Sequence, residues 1–171
     1  MKELYTSAFP VNEQIPMPFL LWKAKKAFVD FLAFYDEGQF VGFIYLITNN
    51  DLTLVLFVAV NSKIQSKGYG GKIMNHVKIL YPNNRIILNI EALDECAGNN
   101  EQRIKRRAFY IKNGYNSSGI IVADKVATFE TLITNGTCKI EEYQALVKRF
   151  MGSVLYALRK PAFSYSGYEK M

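Results

Sequence analysis

Histidine occurs once in this chain, at His76, tryptophan once, at Trp22, and cysteine twice, at Cys96 and Cys138. The two cysteines lie far apart with no C-x-x-C spacing and no histidine near either, so neither a zinc site nor a disulfide framework is expected, and no metal is assigned. His76 reads as a solvent-facing or partly packed residue and receives no role. Long apolar runs are also missing: the richest stretch, residues 40–60, is cut by Asn49, Asn50 and Asp51, which a membrane-spanning helix would not tolerate. The opening MKELYTSAFP lacks the basic start and apolar core of a secretion signal, so a cytoplasmic location and no membrane partner are expected. Charge of one sign is nowhere massed. Lysine and arginine exceed aspartate and glutamate, 21 against 15, but the two signs are interspersed and no zinc-finger or other nucleic-acid spacing appears, so no nucleic-acid partner is expected.

What is present is a core. Half of the 171 residues are apolar, enough for one domain spanning residues 1–171. Residues 2–8 read as a short helix ended by Phe9-Pro10, residues 12–18 as a proline-punctuated loop and residues 20–26 as another helix. Residues 27–35 carry both helical and strand periods, and residues 31–35 are assigned to a strand. Residues 39–48 and 52–60 continue an antiparallel meander through turns at Glu37-Gly38 and Asn49-Asn50-Asp51. A helix over 70–80, with Ile73, Val77, Ile79 and Leu80 inward, leads to a strand over 85–93. Strand, helix, strand in that order favours a right-handed parallel crossover, hence a mixed sheet. A helix over 101–113, with Ile104, Ala108 and Ile111 on its apolar side, ends at Gly114. Strands over 118–125 and 128–134 and one long amphipathic helix over 140–158 follow, and the aromatic tail from Lys160 is expected to be surface-laid or loosely ordered.

The chain is organised around residues 52–77, LTLVLFVAVNSKIQSKGYGGKIMNHV: an uncharged run suited to a strand buried on both faces, a basic loop with three glycines, then a helix. Glycine lets backbone N–H groups turn inward at the start of a helix, where partial positive charge favours an anion. An ordinary tight strand-to-helix turn would look the same. Spacing decides which anion. A Walker loop would need glycine at Ser66 and serine or threonine at Ile73, and G-x-G-x-x-G fails at Ile73. Gln65-Ser66-Lys67-Gly68-Tyr69-Gly70 instead resembles the Q/R-x-x-G-x-G/A pyrophosphate loop of the GNAT family of N-acetyltransferases. A second element, RRAFYIKNGY at residues 106–115, closely resembles the F-Y-x-x-x-G-F/Y element that follows the fifth strand of that family.

The resemblance covers roughly residues 40–134 and implies an α/β fold, a mixed, twisted sheet flanked by helices, that takes acetyl-CoA as co-substrate and acetylates an amine. It implies that the backbone N–H groups of Gln65, Ser66, Lys67, Gly68, Tyr69, Gly70, Gly71 and Lys72 hold the pyrophosphate, with Lys67 and Lys72 adding charge. Main-chain groups near Val58 and Val60 would pair with the pantetheine amides. Tyr110 matches the tyrosine beside the CoA sulfur and would protonate the departing thiolate; a packing tyrosine is the plainer reading. Glu91, late on the strand over 85–93, is the candidate base, with a water relay or a solvated strand-end glutamate as alternatives. The family's usual first strand has no recognisable counterpart, and Arg103 stands where many relatives have a CoA-contacting Asn, with Asn99 and Asn100 nearby. The alternative function is a non-catalytic CoA-binding or sensing module of the same fold. The acceptor amine is not readable, and oligomeric state, a homodimer included, is left open.

Overall fold

The computed structural model describes residues 1–64, 67–123, 127–159 and 161–167. Its internal contacts divide the chain into two compact units, Met1–Asn84 and Arg85–Met171.

The first unit is built on a three-stranded antiparallel meander, β1 (Val29–Asp36), β2 (Gln39–Asn49) and β3 (Leu52–Val60). The β1–β2 turn is two residues, Glu37 and Gly38, both at positive φ (48° and 77°), the I′ geometry whose twist matches that of the strands. Between β2 and β3 the register slips: Tyr45 faces Phe57 while Leu46 faces Val55, so Leu56 is the extra residue of a β-bulge. Because partners across a ladder share a face, Phe43, Tyr45, Ile47, Leu54, Phe57 and Ala59 line one side of the meander. Helix α1 (Lys2–Ala8) covers that side, Tyr5 meeting Phe43 and Phe57 ring to ring at 6.3 and 5.1 Å. The Tyr5 hydroxyl donates to the Ile15 carbonyl at 3.0 Å and accepts from its N–H at 2.7 Å, tying α1 to the loop that follows. Helix α2 (Met17–Lys23) accepts a bond from the buried Tyr45 hydroxyl at the Leu20 carbonyl, 2.9 Å away.

Helix α3 (Tyr69–Leu80) packs Ile73, Met74 and Val77 inward and is tied down at its end by a hydrogen bond from the Tyr81 hydroxyl to Asp30. Gly42, opposite Val60, is a position where only glycine fits: a Cβ would lie 2.3 Å from the Ala59 carbonyl oxygen.

The second unit holds β4 (Arg85–Glu91), α4 (Asn100–Lys112), β5 (Asn116–Ala123), β6 (Thr128–Ile133), α5 (Ile140–Met151), α6 (Ser153–Arg159) and β7 (Ala162–Tyr165). β6 lies antiparallel between β4 and β5, and β7 adds to β5. β5 bulges by two residues between Ser117 and Ile121, and the Ser118 hydroxyl fills the gap, donating to the Thr131 carbonyl (2.8 Å) and accepting from the Ile120 N–H (3.1 Å). Arg85 grips Glu142 with two parallel bonds of 3.0 and 2.7 Å and reaches the Thr137 carbonyl at 2.7 Å. Glu142 also accepts the Lys139 N–H at 2.9 Å, capping α5.

Several expectations are corrected here. The helix expected over residues 140–158 is two helices, because Gly152 sits at φ 83°, ψ 157°, a conformation open essentially to glycine alone. The tail, expected to be surface-laid or loosely ordered, contains β7, a largely exposed strand whose Phe163 packs its ring on Tyr143 at 5.2 Å. Helix α2 starts at Met17 rather than residue 20, since Pro18 falls in the first turn, where a missing N–H costs nothing. Ile79 and Leu80 are exposed rather than inward, as are Ile104 and Ile111; α3 buries only the stripe through Ile73, Met74 and Val77, and the residue α4 buries is Tyr110. The expected strand over 118–125 begins two residues earlier, and its last two positions lie outside the described residues.

Candidate active site

Two sets of residues matter, one in each unit. In the first, β3 ends at Val60 with Val58 and Val60 half-buried, and the Asn61 N–H extends the β2 pairing by a 2.8 Å bond to the Val41 carbonyl. After the 3₁₀ turn Ser62–Ile64, Gly68 occupies the N-cap of α3 at φ 79°, ψ 3°, in the left-handed region. Among the described residues no side chain caps this end, and the Lys72 N–H bonds to the Gly68 carbonyl at 3.1 Å. The N–H groups of the first turn therefore keep their capacity to bind an anion, and the turn holds no acidic residue to compete for them. Lys67 and Lys72 are exposed beside it. Lys72 rests over the Tyr69 ring, 5.0 Å from its centre, and the Tyr69 hydroxyl donates to Asp36 at 2.7 Å. Gln65 and Ser66 lie outside the described residues.

In the second unit the end of α4 explains the spacing of its motif. Asn113 is the C-cap and Gly114 follows at φ 80°. The Gly114 N–H bonds to the Ile111 carbonyl at 2.9 Å, and the Tyr115 N–H to the Tyr110 carbonyl at 3.1 Å. This is a Schellman cap, in which the residue after the glycine packs on the residue five positions before it. Here those residues are Tyr115 and Tyr110, with rings 5.8 Å apart and nearly perpendicular. Phe109 adds an edge contact at 5.1 Å. Tyr110 is 8% exposed, and its hydroxyl makes no hydrogen bond among the described residues. Burial pushes its pKa up to about 12, opposed by the nearby Arg106 cation, so the phenol keeps its proton throughout the neutral range.

The sequence matches the acetyltransferase (GNAT) domain family over residues 28–117, more than half of the chain. The chain belongs to the GNAT acetyltransferase family. Its fold is that of solved GNAT proteins. A putative GNAT-family acetyltransferase from Bacteroides thetaiotaomicron superposes with a TM-score of 0.72 at 18% identity, over 91% of this chain and 89% of the other. An aminoglycoside 6′-N-acetyltransferase complexed with coenzyme A gives 0.60 at 16% identity, over 77% and 86%. A GNAT acetyltransferase from Elizabethkingia anophelis with acetyl-CoA bound gives 0.51 at 13%, over 75% and 95%. No curated protein matches the sequence. The fold class is thus the expected one, a mixed α/β sheet flanked by helices.

Within this GNAT chain, Glu91 is held more firmly than a strand-end glutamate in solvent. One of its oxygens takes an ion pair from Arg103 at 3.1 Å and the other from Arg106 at 3.0 Å, while the Asn99 amide approaches both at 3.3 and 3.5 Å. Asn99 in turn accepts a bond from Arg103 Nε at 2.9 Å, and Arg103 also donates to the Ala92 carbonyl at 2.7 Å. The Asn100 side chain is committed to the Asp94 N–H at 3.1 Å. Sequence reasoning weighed Arg103, Asn99 and Glu91 separately; the structure joins them into one network. Their spacing carried the signal, since residues 99, 103 and 106 recur at helical intervals facing a strand end. Reasoning from sequence also missed Tyr115 as the support of Tyr110 and Asp36 as the partner of Tyr69. Among the described residues no cluster of His, Cys, Asp and Glu is fit to hold a metal, and no helix is long and apolar enough to cross a membrane.

Proposed function

We propose that the chain is an N-acetyltransferase that moves the acetyl group of acetyl-CoA to a primary amine by direct attack, its two units acting as one catalytic domain. The observation that carries this reading is Tyr110: a buried phenol with its proton retained and its hydroxyl uncommitted, held at the end of α4 by a glycine cap. The residues present suit the co-substrate. Uncapped N–H groups at residues 68–71, with Lys67 and Lys72, suit a pyrophosphate, Gln65 and Ser66 belonging to the same loop by motif; half-buried Val58 and Val60 suit the pantetheine arm.

Each residue then has a task. The N–H groups of α3's first turn neutralise the pyrophosphate, and backbone groups near Val58 and Val60 align the thioester and polarise its carbonyl. The acceptor enters as an ammonium and must lose a proton before its nitrogen can attack the carbonyl carbon. Because both oxygens of Glu91 already serve Arg103, Arg106 and Asn99, a water relay suits this step better than direct removal by Glu91. As the C–S bond breaks, Tyr110 gives its proton to the sulfur and is reprotonated through solvent by the second proton lost from the attacking nitrogen, leaving an amide, free thiol and one released proton. A phenol near pKa 12 is a weak acid, but the same apolar surroundings that raise it also raise the proton affinity of the thiolate it faces.

Acetyl-CoA at a hundred times its Kd stabilises a protein by about 2.7 kcal/mol, so a thermal-shift titration tests the co-substrate, and thiol release with a panel of amines tests the reaction. Stabilisation with no thiol release for any amine would favour the sensing module, and no stabilisation would refute both.

A further inference from the structure

We propose that Tyr69 and Asp36 form a latch that sets the geometry of the first turn of α3, where the pyrophosphate is proposed to sit, with the Tyr69 side chain in a positioning role rather than that of a phosphate ligand. This rests on the reading of residues 65–72 as the pyrophosphate loop. Tyr69 is the first residue of α3, between Gly68 and Gly70, so its side chain stands at the base of the uncapped turn. Its hydroxyl reaches back 33 residues to Asp36, the last residue of β1, at 2.7 Å. Asp36 is itself fixed, because it pairs with Gln39 across the tight Glu37-Gly38 turn. The face of the Tyr69 ring carries the Lys72 ammonium at 5.0 Å, one helical turn along. One ring thus joins three things: the stiff hairpin, the start of the anion-binding turn and one of its two lysines. The same residues, with Phe34, Val41 and His76, line a cleft of about 200 Å3 alongside α3.

Charge alone makes the opposite claim. Asp36 and Glu37 are carboxylates near an anion site, and as mere surface charges they would weaken CoA binding, so that removing Asp36 should tighten it. As half of a latch, Asp36 holds the turn in its binding geometry, and removing it should loosen both the turn and the ligand. The two accounts differ in sign.

The test compares Asp36→Ala, Asp36→Asn, Tyr69→Phe and wild type in calorimetry with CoA and with pantetheine, which lacks the pyrophosphate, and in amide hydrogen exchange without ligand. In the wild type CoA should bind far more tightly than pantetheine; equal affinities would refute the pyrophosphate loop and the latch's role in binding together. Asp36→Ala and Tyr69→Phe should each weaken CoA roughly three- to ten-fold, the worth of one hydrogen bond, and leave pantetheine unchanged. Asp36→Asn, which keeps an acceptor for the Tyr69 hydroxyl, should restore most of the affinity. Exchange at Lys72, whose N–H bonds to the Gly68 carbonyl, should accelerate several-fold in Asp36→Ala and Tyr69→Phe, whatever the ligand result. Tighter or unchanged CoA binding in Asp36→Ala, or unaltered exchange in both variants, would overturn the latch.

Discussion

The start of α3 and the end of α4 are both made by a glycine near φ 80°, Gly68 and Gly114, yet they do opposite things with the backbone. At Gly114 the cap closes: two N–H groups return to the Tyr110 and Ile111 carbonyls, and Tyr115 packs on Tyr110. At Gly68 no side chain among the described residues caps the first turn, which leaves its N–H groups available. A closed end holds a side chain still. An open end offers its own backbone. One residue type, used for one conformational reason, thus builds a closed helix end in one place and an open one in another, which are the ends proposed for acid catalysis and for anion binding.

The comparison breaks most sharply if charge is placed in the open end. Gly70→Asp puts a carboxylate where the pyrophosphate is proposed to sit and should abolish CoA binding in calorimetry while the circular dichroism spectrum stays native; retained binding would remove the loop from the site. At the closed end, Tyr110→Phe should lower kcat about ten- to a thousand-fold, the scale of general acid catalysis, with little change in CoA affinity. Because the lost hydroxyl has no hydrogen bond among the described residues, Tm should hardly move.

Alkaline titration separates the ends next. Tyr110 has a folded pKa near 12 against an ordinary value of 10, so its neutral form is the one favoured by folding. Its contribution is therefore fully present below pH 10 and is lost as pH rises through 12, about 3 kcal/mol for two pKa units. Burial shifts Tyr115 and Tyr143 the same way, and Tyr81 also reaches about 12. Denaturant melts should show a stability plateau up to about pH 10 and a steep fall beyond it, with Tyr110→Phe flattening the fall. The smallest effect is the most discriminating. Gly68→Ala and Gly114→Ala each force alanine into left-handed backbone, and each should cost about 1–2 kcal/mol, a few degrees in Tm. None of the described residues lies within 4 Å of a Cβ added at Gly68, so there the cost is conformational alone. The functional readouts should part: Gly68→Ala should weaken CoA, and Gly114→Ala should lower kcat by releasing Tyr110.

Much of the fold was legible in local pattern. The strand Leu52–Val60 and the helix Lys2–Ala8 stand where periodicity put them, and the β1–β2 turn falls on Glu37-Gly38. Each depends on residues a few positions apart. Misreadings arose where distant partners decide. The single amphipathic helix expected over residues 140–158 breaks at Gly152, where φ is 83°, and the tail expected to be surface-laid or loosely ordered pairs with the edge of β5. Ile104 and Ile111 had the right spacing for a core, but α4 buries the Tyr110 side of the helix instead. For the candidate site, motif spacing picked out Gly68, Gly70 and Tyr110 as a set, but no local pattern could reveal that Glu91 is already occupied by Arg103 and Arg106, contacts made across 12 and 15 residues.

Sequence by itself determined the two glycine-bounded helix ends at either side of residues 68–114, because a left-handed residue and its capping partners lie within five positions of one another and need nothing from the rest of the chain. It determined the family through the same two elements. Only the tertiary structure decided what each end is worth chemically: that the Tyr110 hydroxyl is buried and uncommitted, that the oxygens of Glu91 are spent on arginines, and that Tyr69 is tied to Asp36. Burial, proton affinity and the occupancy of a carboxylate depend on which remote groups surround it, and a spacing of residues along the chain does not carry that information.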